Sequence, residues 1–334
     1  MKRLLILIFL ASAALFAQSN LKFVTYGSKS DPKEGDDNHI QVINIKLPED
    51  YKGKAFLRLF DMSCGSVHDL RFGQWDSRFR FSLYKNEHKE IEFTNVAGYA
   101  AKVNDQILSH FETGIDDRYY DKWYTFYDLN SAGRDNPVFS LVVQGVEGDD
   151  ANNFGMFVSS DSLENKSIEG VRVYSYEPTI PFVRSSSVFS FKVMPGKDAD
   201  LTFQLFDFDG TRAGISSLIK DSQLLGYSNA QNWPGVKVPL EVFENENYCT
   251  LDIGPEKNLF NDVTFRIIGS KGNSLPIELP AFEKEASSIP EAVRQITYPD
   301  CNSVAVDYSG SRSKNGGVLN YKWIVDDKEI TAGE

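Results

Sequence analysis

The feature that most constrains this chain is a pair of strands that occurs twice. Phe56-Leu57-Arg58-Leu59-Phe60-Asp61 returns as Leu201-Thr202-Phe203-Gln204-Leu205-Phe206-Asp207, each copy an apolar strand ending on an aspartate. Each follows an earlier strand that ends on a proline, Val42 to Pro48 in one copy and Phe189 to Pro195 in the other. The interval from that proline to the aspartate is 13 residues in the first copy and 12 in the second. A third correspondence lies further on. Phe139 to Val143, an acidic turn and a strand from Asn153 parallel Cys249 to Ile253, Asn261-Asp262 and a strand from Val263. Three matches in one order point to a duplicated unit, and a unit of paired apolar strands needs a second sheet to cover its buried face.

The rest of the chain agrees with strands. Phe and Tyr number 24 and 15, a composition that suits pleated, half-buried surfaces. Arg78-Phe79-Arg80-Phe81-Ser82-Leu83-Tyr84 alternates polar and apolar with the period of two that marks a half-buried strand. Only the span from Asn95 to Lys122 reads ambiguously, with Val103 to Phe111 as a helical turn or two and Asp116 to Asp121 as a charged aromatic loop. Many short strands between turn signals predict an all-β protein built of two tandem β-sandwich domains, jelly-roll or Ig-like. The first is expected over residues 18–177 and the second over 182–280, with Glu177-Pro178-Thr179-Ile180-Pro181 as boundary. A linker follows at 281–290, and residues 291–334 start a third unit.

That third unit carries a family resemblance. Ser303-Val304-Ala305-Val306-Asp307-Tyr308-Ser309-Gly310-Ser311-Arg312-Ser313, then Gly316-Gly317, then Leu319-Asn320-Tyr321-Lys322-Trp323, resembles the opening of a PKD domain. In that family a strand enters an Asp-x-Ser-x-Ser turn, a glycine bend follows, and Tyr-x-Trp marks the next strand. The resemblance implies an immunoglobulin-like sandwich, here incomplete because such a sandwich takes ~100 residues. Lys314 and Asn315 depart from the family, which usually has acidic residues there. The first sandwich, with its Phe-Asp strand end and its Gly148-Asp149-Asp150-Ala151-Asn152 turn, resembles the exported sandwiches of the pre-peptidase C-terminal type. Envelope proteins of this kind can carry a peptidoglycan-binding module after the PKD unit.

Residues 1–17 read as a secretory signal: Lys2 and Arg3, an apolar run from Leu4 to Leu10, then small residues to Ala17. The run is shorter than the ~20 residues of a membrane span. The chain is therefore expected in the periplasm, at the cell surface or outside the cell, with no transmembrane span. A net charge of -12 repels phosphate backbones, which argues against nucleic acid as a partner. Cys64, Cys249 and Cys301 are far apart and lack metal-ligand spacing, so isolated thiols and a Cys249–Cys301 bridge both remain open.

Two acidic turns, Gly35-Asp36-Asp37-Asn38 and Gly148 to Asn152, each precede a strand. If those strands are neighbours, Asp36, Asp37, Asp149, Asp150 and Asn152 converge as oxygen ligands of a structural calcium ion. Turn formation by Asp and Asn alone is the simpler reading of the same residues. Asp207-Phe208-Asp209-Gly210 opens like a calcium loop but lacks the spacing and the closing glutamate. Among Trp75, Tyr119, Tyr120, Trp123 and Tyr124, the pair Tyr119 and Tyr120 lies in a charged segment and is the best candidate for stacking on sugars. His39, His68, His88 and His110 show no zinc spacing, no nucleophile elbow is present, and His68-Asp69 beside Cys64 has no evident third partner. The expectation is a non-catalytic protein of the cell envelope or medium, serving adhesion, spacing or assembly with an extracellular protein or polysaccharide. A carbohydrate-binding module of a larger protein is the alternative.

Overall fold

The computed structural model describes residues 21–30, 39–85, 107–132, 138–182, 187–193, 201–206, 212–217, 223–225, 233–238, 249–254, 261–279, 295–300, 303–307, 323–325 and 328–330. The chain divides into two compact units, Met1–Glu283 and Lys284–Glu334. The expected signal and linker segments lie outside the described residues.

Strands dominate, and among the described residues the helical turns are 3-10 turns at Asp117–Tyr119 and Leu129–Ala132. The first half of unit one contains β1 (Leu21–Tyr26), β2 (Ile40–Lys46), β3 (Phe56–Phe60), β4 (Arg78–Lys85) and β5 (Ile107–Thr113). It continues with β6 (Trp123–Asp128), β7 (Val138–Glu147), β8 (Ala151–Ser159) and β9 (Arg172–Ser175). One sheet runs β1-β8-β3-β6, and β2-β7-β4-β5 form part of the other. That interleaving of eight strands over two sheets is a jelly roll. The ambiguous segment at Val103 to Phe111 resolves as β5 from Ile107, because its Phe111 pairs with Phe81 across the edge of the sheet.

The second half repeats the pattern. It contains β10 (Thr179–Phe182), β11 (Ser187–Val193), β12 (Leu201–Phe206), β13 (Arg212–Ser216) and β14 (Gln223–Leu225). Then come β15 (Gly235–Val238), β16 (Cys249–Gly254), β17 (Asn261–Ile268) and β18 (Ile277–Glu278). Here one sheet runs β10-β17-β12-β15, and β14-β13-β16-β11 belong to the other. The repeated sequence pairs occupy equivalent places: β2 with β11, β3 with β12, β7 with β16 and β8 with β17. Their ladders share register too, Leu59 opposite Met156 in one copy and Leu205 opposite Phe265 in the other. Ile43 opposite Leu141 matches Phe189 opposite Leu251, so the structural equivalence is one position away from the alignment on the prolines. The reason is the pleat, since a one-residue slip turns every inward side chain outward.

The two jelly rolls share a sheet. β9 pairs with β2, β18 pairs with β11, and β9 pairs with β18, giving one ten-stranded sheet across both halves. A single buried apolar cluster likewise runs from Phe23, Ile43 and Phe154 to Phe203, Leu251 and Phe265. The proline-rich boundary expected at 177–181 is therefore built into the fold: Thr179–Phe182 is β10, an edge strand where Pro181 costs no ladder bond to a second neighbour. Buried polar contacts tie the join, with Tyr26 Oη donating to Asp262 Oδ1 at 2.7 Å and Thr179 N donating to Gln41 Oε1 at 2.8 Å.

Unit two, described by itself, contains β19 (Gln295–Asp300) antiparallel to β20 (Ser303–Asp307), and β21 (Trp323–Val325) antiparallel to β22 (Lys328–Ile330). Tyr308 to Ser313, the turn of the PKD resemblance, lies outside the described residues.

Candidate functional site

The site grows from the aspartate that ends β3. Asp61 has φ of 55° and Asp121, just before β6, has φ of 54°, a left-handed conformation that aspartate tolerates better than most residues. Those two turns bring the loop after β3 and the loop before β6 together. Asp61 is fully buried, and its carboxylate accepts from Ser66 Oγ at 2.5 Å and from Asp121 N at 3.3 Å. His68 Nε2 stands 3.0 Å from Asp121 Oδ1. One ligand atom each from Asp61, His68 and Asp121 lie within 4.8 Å of one another.

Asp69 pins the same loop. It accepts from Gly65 N at 2.8 Å and Ser66 N at 2.9 Å through one oxygen, and from Asn153 N at 2.8 Å through the other. Burial pushes the Asp61 carboxyl up to about 6, against the pull of Ser66 and the Asp121 amide. Burial pushes Asp69 up to about 7, against the Asn153, Ser66 and Gly65 amides. Two carboxyls of this loop thus take up protons near neutrality. The His68-Asp69 pair was legible in the sequence, but its partners Asp61 and Asp121 were not. The signal was present in the strand-ending aspartate of the repeat and the acidic segment 116–121.

Beside this cluster lies an open cleft on the outward face of the β1-β8-β3-β6 sheet. Leu57 and Leu59 of β3 point into the core, so Phe56, Arg58 and Phe60 point out. Phe60 packs on Trp123 with centroids 5.4 Å apart, and Trp123 on Phe157 at 6.4 Å. The Arg58 guanidinium lies 5.7 Å from the Trp123 ring centroid. Arg58, Lys122, Trp123, Leu163, Glu164 and Asn165 line a cleft of about 600 Å³. Its far wall is the loop after β8, held by the Ser159 hydroxyl, which donates to Glu164 O at 2.6 Å and accepts from Lys166 N at 2.9 Å. The His68 ring, 6.0 Å from Phe60, joins cleft and acidic cluster into one surface.

The expected sugar-stacking pair sits behind this surface. Tyr119 packs on Phe111 at 5.0 Å and on Tyr124 at 4.9 Å, and Tyr120 Oη donates to Cys64 O at 3.0 Å. Both rings are half-buried supports of the loop, while Trp123 and Tyr124 border the cleft. Trp75 is half-buried under Arg71, whose guanidinium lies 6.0 Å from its ring.

Of the expected calcium ligands, Asp149 and Asp150 come together, with Asp76 as third member within 4.8 Å. Asp150 is fully buried and already accepts from Phe72 N at 3.0 Å, Asp76 N at 3.1 Å and Ser77 N at 3.2 Å. Asn152 is fully buried at the start of β8. It points into the sandwich and donates to Met62 O at 3.2 Å. Asp36 and Asp37 lie outside the described residues, as do Asp207 to Gly210, His88 and Cys301. Cys64 and Cys249 are buried thiols, and burial pushes Cys249 up to about 12.

No protein-family model and no curated protein matches the chain. Among solved structures, a chain of the naturally occurring empty top-component particles of cowpea mosaic virus is similar at a TM-score of 0.24 and 9% identity, over 84% of this chain and 96% of that one. A likeness of that size assigns no function. Among the described residues, no helix is long and apolar enough to cross a membrane.

Proposed function

We propose that the chain is a non-catalytic, exported protein of the cell envelope or medium that serves adhesion, spacing or assembly. The observation that carries this reading is the sheet shared by the two jelly rolls. Lys192 and Val193 pair with Glu278 and Ile277, which pair in turn with Tyr174 and Ser175. Backbone hydrogen bonds therefore cross the join, and the two sandwiches resist independent hinging far better than domains on a flexible linker. A spacer or assembly element needs that stiffness. The apolar run at Leu4 to Leu10 behind Lys2 and Arg3 supports export. The test is fractionation of producing cells together with an attachment assay on a deletion strain. Processed protein in the envelope or medium, and weakened attachment or a disordered surface, are expected. Unprocessed protein in the cytosol would overturn the export reading.

A structural calcium ion on Asp76, Asp149 and Asp150 belongs to this proposal, since three carboxylates converge on one loop junction. Calcium is expected to raise the melting temperature, and chelator to lower it. An unchanged melt in both would remove the ion from the account.

The second reading, a carbohydrate-binding module, is favoured by the aromatic cleft. Trp123 presents a half-buried indole on a sheet face, and aromatic faces suit the apolar faces of sugar rings. A shift in tryptophan fluorescence on adding soluble glycans is expected, and its absence over a broad panel would refute it.

A further inference from the structure

We infer that the cleft over β3 and β6 takes an anionic saccharide, a glycan whose sugar units carry a carboxylate. This rests on the carbohydrate reading of the same cleft and adds the charge of its ligand.

The argument is one of charge complementarity. The whole chain carries a net charge of -12, yet the cleft is lined by Arg58 and Lys122. Among the described residues neither cation has a carboxylate within ion-pair distance. Lys122 Nζ donates to the Arg118 carbonyl at 3.4 Å. Arg58 donates through Nη1 to the neutral amide oxygen of Asn165, and its buried Nε has no hydrogen-bond partner among the described residues. Arg58 as a residue is 4% exposed, and a buried guanidinium donor left over is costly unless an acceptor completes the group.

The cleft's own carboxylate does not fill that place. Glu164 stands 3.0 Å from Lys166 Nζ, which also holds Asp161 at 2.8 Å. The surface is thus locally cationic inside an acidic protein, which disfavours cationic ligands and leaves a neutral sugar only hydroxyl oxygens to offer the guanidinium, weaker acceptors than a carboxylate. Burial pulls Arg58 below its usual range while Asp161 and Glu164 pull it back, so it stays charged at neutral pH. Trp123 supplies the stacking face beside these cations. A uronate unit offers what this set lacks, an apolar ring face and a carboxylate one bond away from it.

The experiment is titration of the full chain with a panel of uronate trimers and with their methyl esters, followed by tryptophan fluorescence and calorimetry. The ester keeps the ring and removes the charge. At least one free acid is expected to bind about tenfold tighter than its ester, the difference of one charge-assisted hydrogen bond. Binding of that acid is expected to weaken with salt and to fall in Lys122→Glu. Lys122 is exposed, so this variant leaves the fold intact. An ester that binds as well as its acid, or a Lys122→Glu chain that binds the acid undiminished, overturns the inference while the carbohydrate reading stands. If neither acids, esters nor neutral oligosaccharides bind, the carbohydrate reading itself falls and this inference with it.

Discussion

Replacing Asp150 by alanine tests how the first jelly roll is closed at one end. Its carboxylate is fully buried and receives three backbone amides, from Phe72, Asp76 and Ser77, at 3.0, 3.1 and 3.2 Å. Hydrogen bonds to a charged acceptor contribute about 1.5–3 kcal/mol each, so three give an upper bound near 9 kcal/mol. The structure reduces that figure. Phe72 is half-buried and Asp76 exposed, so their amides regain water in the variant, and only the Ser77 amide stays buried without an acceptor. The Asp150 amide keeps its bond to Ser77 Oγ at 2.7 Å. A loss of about 3–5 kcal/mol is expected for Asp150→Ala, and about half of that for Asp150→Asn, which keeps one acceptor oxygen. Urea unfolding of the full chain measures the total, and amide exchange at Phe72 and Ser77 locates it. A loss under about 1 kcal/mol, or unchanged exchange at both amides, would refute the reasoning.

Asp61 and Asp69 have folded-state values raised to about 6 and about 7 from an ordinary 3.8. Their contribution to stability is therefore fully present below pH 3.8 and is lost as pH rises through about 6 and about 7. The melting temperature is expected to rise on going from pH 8 to pH 5.5, and a combined Asp61→Asn, Asp69→Asn chain should show a flatter profile over that window. Gly145→Ala is expected to cost at least ~2 kcal/mol in urea unfolding. An added Cβ there would lie 1.9 Å from Tyr26 O, so the backbone must move. Ile277→Asp places a charge in the buried strand that joins the two jelly rolls, and calorimetry is expected to show one transition becoming two. Cys64 and Cys249 should resist thiol reagents in the folded chain and react on unfolding, since both are buried and burial raises both thiols.

Strand positions, the repeat and the all-β class were legible because they rest on local pattern. Alternating Phe79, Phe81 and Leu83 declare a buried face whatever the topology, and all three are fully buried. The third partner of His68 was not legible. Asp121 comes from the next loop but one, and only the pairing of β3 with β6 brings it to 3.0 Å. Tyr119 and Tyr120 are less open than their sequence neighbours suggest, for a related reason. Charged neighbours in sequence suggested exposure, whereas Tyr120 Oη is engaged by the Cys64 carbonyl and Tyr119 by Phe111.

The sequence by itself determined that this chain folds as duplicated β-sandwiches, because the side-chain period and the spacing of turns set strands before any of them meet. It could not show that the two copies share one sheet. That depends on β9 and β18, four and two residues long, too short to carry a periodic signal and meaningful only once each lies against the other. Tertiary structure likewise decided which aspartates gather, which tryptophan borders the cleft, and that Arg58 keeps a buried donor with no partner among the described residues, since each is a relation between residues distant along the chain.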